Sequence, residues 1–264
     1  MLTIEKYLRP ATLEEAYQAA QQKNSVVLGG MLWLRLGSKR VSTAIDLSGL
    51  GLDYVTETEN CWRIGAYTSL RTLETHTGLN ALAGGGFRDA LCSIVGVQFR
   101  NLATVGGSIF GRYGFSDVVT LCMALDASVS LYRGGLIPLE TFCGMGKVND
   151  ILTEIQIPKK PVRVSWQVQR NTATDFPVLN VCAVRREDSI TIAVGARPLR
   201  AVPYRFAADP AEDAEKLAAG LADAVAEQIV LGDNNRASGA YRRHLCRVLI
   251  RRAVRNVLTE KEEC

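Results

Sequence analysis

The feature that most constrains this 264-residue chain is a pair of glycine doublets, each set beside an apolar run. The first is Val27-Leu28-Gly29-Gly30. The second lies in Arg100-Asn101-Leu102-Ala103-Thr104-Val105-Gly106-Gly107-Ser108-Ile109. Adjacent glycines let backbone N–H groups approach a ligand, because no Cβ stands in the way. Thr104 and Ser108 add hydroxyl donors beside the second doublet. Converging N–H groups make an anion site, and a pyrophosphate suits one. Two such loops in one chain predict a dinucleotide gripped from both sides.

Local patterning divides the chain into three blocks. In the first, to about residue 53, Thr12-Leu13-Glu14-Glu15 reads as a capping box. It opens a helix with Leu13, Ala16, Tyr17 and Ala20 on one face. Strands at 25–28 and 43–46 complete a small β-α-β-type unit whose strand end carries the first doublet. The second block, 54–159, predicts a strand at 62–65 and a helix capped by Thr68 that runs through Leu70, Leu73 and Glu74. A helix from Phe87 to Val95, the glycine loop at 103–108, a helix from about Ser116, and strands at 128–131 and 151–157 follow. The third block, 160–264, opens at the proline-bounded linker Pro158-Lys159-Lys160-Pro161. Strand-like runs at 162–169, 178–185 and 189–195 precede helices near 210–231 and 238–258, an α+β order.

Several function classes lose support. A net charge of +4, with no basic patch interleaved with aromatics, does not argue for nucleic acid. No apolar run approaches the roughly 20 residues of a membrane span. Met1-Leu2-Thr3-Ile4-Glu5-Lys6 lacks a signal-peptide layout, so the expected compartment is the cytoplasm. The seven cysteines show no C-x-x-C spacing and read as reduced, mostly buried thiols. The run Gly144-Met145-Gly146-Lys147-Val148-Asn149 satisfies neither the Rossmann nor the P-loop pattern. His76 and His244 stand in no metal-ligand spacing, and no G-x-S-x-G elbow is present. The arginine-rich stretch 240–258 reads as an amphipathic helix with a solvated basic face. Glycines to grip a cofactor, without an evident acid–base or nucleophile set, suit a protein whose chemistry a flavin supplies.

The segment from Gln98 to Ala127 resembles the flavin-binding signature of the xanthine dehydrogenase family of molybdenum hydroxylases. The matching residues are Arg100-Asn101, Ala103-Thr104-Val105-Gly106-Gly107-Ser108, Ser116-Asp117 and Met123-Ala124-Leu125-Asp126-Ala127. The likeness extends to Asp150-Ile151-Leu152-Thr153-Glu154-Ile155-Gln156-Ile157-Pro158 and to the closing helix from Ala240. It implies an α+β fold: a two-subdomain FAD-binding domain of the PCMH type over 1–159, split near residue 53, then a small α+β domain over 160–264. It also implies a medium, FAD-carrying subunit with two partners, a molybdopterin-binding large subunit and a [2Fe–2S] small subunit. Electrons from the clusters would pass to NAD⁺ or another acceptor.

The resemblance carries roles onto particular positions. Residues Val27, Leu28, Gly29, Gly30, Met31, Leu32 and Trp33 would form one diphosphate loop, and Thr104, Gly106, Gly107 and Ser108 the other. Met31-Leu32 replace the threonine and polar residue usual there, which leaves backbone N–H groups to do the binding. Asp117 would accept from ribose hydroxyls, and Gly111 stands where relatives offer a threonine. Ile94 would pack near the adenine and Leu152 against the isoalloxazine. Gln167 replaces a lysine that reaches the ring, so the flavin is expected to show a lower two-electron potential than in a Gln167→Lys variant. Two other readings stay open from sequence: a stand-alone flavin oxidoreductase, and a flavin-free structural relative.

Overall fold

The computed structural model describes residues 1–208 and 213–259. Three sheets follow one another along the chain. The first holds β1 (Thr3–Leu8), β2 (Ser25–Leu28) and β3 (Arg40–Asp46), all parallel, in the order β1-β3-β2. Helix α1 (Leu13–Ala20) makes the crossover from β1 to β2. Thr12 caps it as expected, with Glu15 N–H donating to Thr12 Oγ1 at 3.1 Å, but the Glu15 carboxylate reaches back one residue further than a capping box does and accepts from Ala11 N–H at 2.8 Å. Ala16 and Ala19 bury against Ile45 and Leu47. Strand β1 is not predicted by the pattern, because its side chains are almost all exposed.

The second sheet comprises β4 (Val55–Glu57), β5 (Cys61–Gly65), β6 (Ser128–Leu131), β7 (Gly135–Pro138) and β8 (Leu152–Pro158). It is antiparallel, in the order β4-β5-β8-β6-β7. Between β5 and β6 run the helices α2 (Leu70–Thr75), α3 (Thr77–Leu82), α4 (Gly86–Leu91), α5 (Val97–Leu102), α6 (Val105–Gly111) and α7 (Asp117–Ala124). Helix α8 (Leu139–Gly144) follows β7.

Three expectations change here. Ser69, not Thr68, caps α2; the Thr68 hydroxyl instead pairs with both backbone groups of Tyr54, at 2.9 and 3.1 Å. The helix expected from 87 to 95 stops at Leu91, because Val95 takes a left-handed φ of 50° and starts a new direction. The glycine loop at 103–108 is mostly helix: Thr104 caps α6, and both glycines lie in its first turn.

The third sheet is a meander of β9 (Arg163–Arg170), β10 (Pro177–Arg185), β11 (Ser189–Gly195) and β12 (Val202–Ala207), in the order β12-β11-β10-β9. Helices α9 (Ala214–Gln228) and α10 (Gly239–Leu258) cover one face, and α7 packs on the other. Covered on both sides, β10 is apolar almost throughout. Val181 and Ala183 enter the core with α9 and α10, while Cys182 and Val184 enter the core with α7. The start expected near 210 for the first of these helices lies outside the described residues, as does Cys264.

The basic face of α10 is less solvated than expected. Arg242 is 0% exposed and donates to the carbonyls of Val178, Gly232 and Ala237 and to Asn234 Oδ1. Arg247 and Arg251 pair with Asp223 and Glu215 of α9. The described cysteines are free thiols, as expected. Burial pushes Cys122 and Cys246 up to about 12 and Cys143 up to about 11, so they stay protonated.

Candidate flavin cavity

A cavity of about 670 Å³ lies where segments from all three blocks meet, a size suited to a small-molecule ligand. The end of β2 and the segment after it supply Val27, Leu28, Gly29, Met31, Leu32 and Trp33. The helices supply Ile94, Thr104, Gly106, Gly107, Ser108, Gly111 and Asp117, and Leu152 comes from the start of β8. The turn from β9 to β10 contributes Arg170, Asp175, Phe176 and Pro177. Gly30 and Gln167 do not line it.

The two glycine doublets touch each other. A Cβ on Gly29 would lie 3.1 Å from Gly107 Cα, and one on Gly107 would lie 2.8 Å from the Gly29 carbonyl oxygen. The glycines thus permit backbone-to-backbone contact between the first block and α6, rather than framing a gap. The second doublet's N–H groups are already engaged. Val105 N–H donates to Thr68 O at 2.9 Å and Gly106 N–H to Ala66 O at 2.8 Å. Gly107 N–H donates to Thr104 Oγ1 and Ser108 N–H to Thr104 O, both at 3.1 Å. The second loop therefore contributes close packing and hydroxyls, not the amide cradle its sequence suggests.

The first loop behaves differently. Gly30 and Met31 take left-handed φ values of 78° and 59°, turning the chain sharply off the end of β2. Leu32 is buried with the second-block core, and Met31 packs on Leu28, Val41 and Ala44. These two apolar side chains anchor the loop at both sides. Among the described residues, the N–H groups of 30–33 find no protein acceptor. Unpaired donors beside a cavity call for an acceptor from outside the chain.

Asp117 is 5% exposed and held from two sides: Arg170 Nη2 donates to Oδ2 and Asn180 Nδ2 to Oδ1, each at 2.7 Å. Burial pushes its carboxyl above the ordinary range, and the charge and hydrogen bonds of Arg170 and Asn180 oppose that rise. Thr120 Oγ1 donates to Asn180 Oδ1 at 3.0 Å and completes the network. Each carboxylate oxygen keeps a second lone pair for a ligand hydroxyl.

Aromatic residues form a cluster over the cavity that the sequence did not disclose. Trp33 stands 5.3 Å from Phe176 and 5.7 Å from Phe115 by ring centroids, with Phe99 and Tyr113 just beyond. Gly111 is glycine because Tyr113 lies against it, 2.6 Å from where a Cβ would be. Tyr67, also in the wall, donates to Asp46 Oδ1 at 2.8 Å and ties the second block to the first.

Strand parity explains why Gln167 is absent. Trp166 and Val168 enter the core beneath α7. Their neighbours face the other way: Gln167 donates to Ser165 Oγ, which also accepts from Asn256 of α10, both at 3.4 Å. A side chain at 167 points to α10, and one at 170 points to α7.

A family model described as the FAD binding domain in molybdopterin dehydrogenase matches residues 2–160. The chain belongs to this FAD-binding family. Within it, the chain is similar to the uncharacterized protein YgfM of Escherichia coli K12, 28% identical over 260 residues and 94% of each chain. It is also similar to the putative xanthine dehydrogenase FAD-binding subunit XdhB of that strain, 25% identical over 285 residues and 96% of each. Reconstituted CO dehydrogenase from Oligotropha carboxidovorans shares the fold, with a TM-score of 0.85 at 18% identity over 97% of this chain and 98% of that one.

Family membership makes this an oxidoreductase subunit of the α+β flavoprotein fold. The cavity fits FAD: unpartnered N–H groups at 31–33 for phosphate oxygens, a carboxylate for hydroxyls, and apolar walls at Ile94 and Leu152 for ring systems. Among the described residues no cluster of His, Cys, Asp or Glu is placed to hold a metal ion, and no helix is long and apolar enough to cross a membrane.

Proposed function

We propose that this chain is the FAD-carrying medium subunit of a molybdenum hydroxylase of the xanthine dehydrogenase type, working in the cytoplasm. Its partners would be a large molybdopterin subunit, where a purine is oxidised, and a small [2Fe–2S] subunit that relays electrons here for delivery to NAD⁺ or another acceptor. Bound FAD supplies the exchange between one-electron and two-electron carriers. Residues 1–159 would form the FAD-binding domain and 160–264 the closing domain. The N–H groups of 31–33 would hold the diphosphate, and Asp117 would accept from ribose hydroxyls. Ile94 would flank the adenine and Leu152 the isoalloxazine.

The observation carrying this reading is the run of unpartnered N–H groups at 31–33, residues that line a cavity also walled by Ile94, Asp117 and Leu152. The test is purification with added FAD. The expected product is yellow, retains one FAD per chain through gel filtration, and supports purine-dependent NAD⁺ reduction only when the other two subunits are added. A colourless protein, or purine turnover by this chain alone, overturns it.

A further inference from the structure

We infer that Arg170, in the third block, is a direct ligand of the cofactor, its guanidinium donating to an oxygen of FAD and standing in for the cation that Gln167 does not provide. The inference rests on the FAD reading above and goes beyond it in assigning a residue that the family signature does not mark in this chain.

Three observations converge on Arg170. Its side chain is 7% exposed, yet it lines the cavity. Two arms of the guanidinium are fixed by the protein: Nη2 donates to Asp117 Oδ2 at 2.7 Å and Nη1 to the Asp175 carbonyl at 2.6 Å. Those bonds use two of its five N–H donors, and the buried Nε–H has no partner in the protein. An orphaned buried donor on a charged group is costly, so native structures keep one where something outside the fold satisfies it. The cavity that Arg170 lines is where such an acceptor can enter. Strand parity supports this, because 170 is the β9 position that shares the α7 face with Trp166 and Val168, whereas 167 faces α10. A guanidinium has no acceptor, so it selects an oxygen such as a phosphate, ribityl hydroxyl or ring carbonyl.

The test is FAD affinity, read by quenching of flavin fluorescence on the apoprotein, with thermal unfolding of the same apoprotein as the control. Arg170→Lys keeps the charge beside Asp117 and replaces the guanidinium's fork of donors with a single ammonium. It is expected to weaken FAD binding about tenfold while the apoprotein midpoint hardly moves. If that variant does not fold, the neutral pair Arg170→Met with Asp117→Asn leaves no lone buried charge and is expected to bind FAD about tenfold more weakly than Asp117→Asn alone. Wild-type binding with an R170K affinity within twofold overturns the inference alone. So does a neutral pair that binds like Asp117→Asn alone, because Arg170 would then only neutralise Asp117. A wild-type chain that takes up no FAD overturns the parent reading, and this inference with it.

Discussion

A β-carbon on Gly30 would sit 2.0 Å from the carbonyl oxygen of Leu102, and this contact fixes the first loop against the end of α5. Gly30→Ala must therefore displace backbone as well as hold a left-handed φ. Gly51 provides the control, since its φ is 66° but nothing lies within 4 Å of a Cβ there. Gly51→Ala is expected to cost about 1 kcal/mol from backbone strain, and Gly30→Ala about 3 kcal/mol or more. Urea midpoints of the two variants check this. Equal costs would mean that the loop is not locked where the structure puts it.

Glu74 and Arg100 form an ion pair at 2.7 Å with both side chains about 95% buried, at 6% and 5% exposure. Arg100 also donates to the Ile94 carbonyl at 2.9 Å, so the pair positions the proposed adenine wall. Arg100→Met strands the carboxylate with only the half-exposed Arg71 for company and is expected to cost about 3 kcal/mol. Adding Glu74→Leu should recover a large part of that loss, because a buried pair is replaced more cheaply than it is broken. A double-mutant cycle in urea measures the coupling, and strictly additive losses would contradict it.

These features differ in how far they could be read beforehand. The cap at Thr12 and the helix start near Ser116 depend on neighbours within four residues, so the sequence shows them. Much of the cavity's lining was legible through the signature residues, Gly30 and Gln167 excepted. What could not be read was set by distant partners. The N–H groups of Val105 and Gly106 are taken by Thr68 and Ala66, which nothing local announces. Arg242 looks like any surface arginine until α10 turns it onto four acceptors from other segments. Arg170 belongs to no motif, and only the parity of β9, seen once α7 and α10 are in place, separates it from Gln167.

Asp46 ends β3 and accepts hydrogen bonds from Tyr7, Tyr67 and the Ser48 N–H. Burial works to raise its carboxyl, but these donors outweigh it and hold the folded value at about 2, below the ordinary 3.8. A depressed carboxyl contributes stability that is complete above its unfolded value and disappears as pH falls through the folded one. The wild type is therefore expected to lose stability between about pH 4 and pH 2, and Asp46→Asn to show a shallower decline over that interval. Denaturant midpoints at several pH values decide it, and parallel curves would refute the assignment. Tyr67→Phe should cost about 1–2 kcal/mol at neutral pH through the same carboxylate.

The last prediction concerns the position that the family pattern marks for a lysine. A lysine at 167 would extend from the β9 face that carries Ser165 toward Asn256 of α10, away from the α7 side on which the cavity opens. Bringing it to the flavin would require a one-residue register slip, which would also drive Trp166 and Val168 out of their core. Gln167→Lys is thus expected to leave both FAD affinity and the two-electron potential unchanged, contrary to what the signature alone implies. Potentiometric titration of the two proteins provides the measurement. A clear rise in potential in the lysine variant would show that the side chain reaches the ring after all, and that the face assigned to residue 167 is wrong.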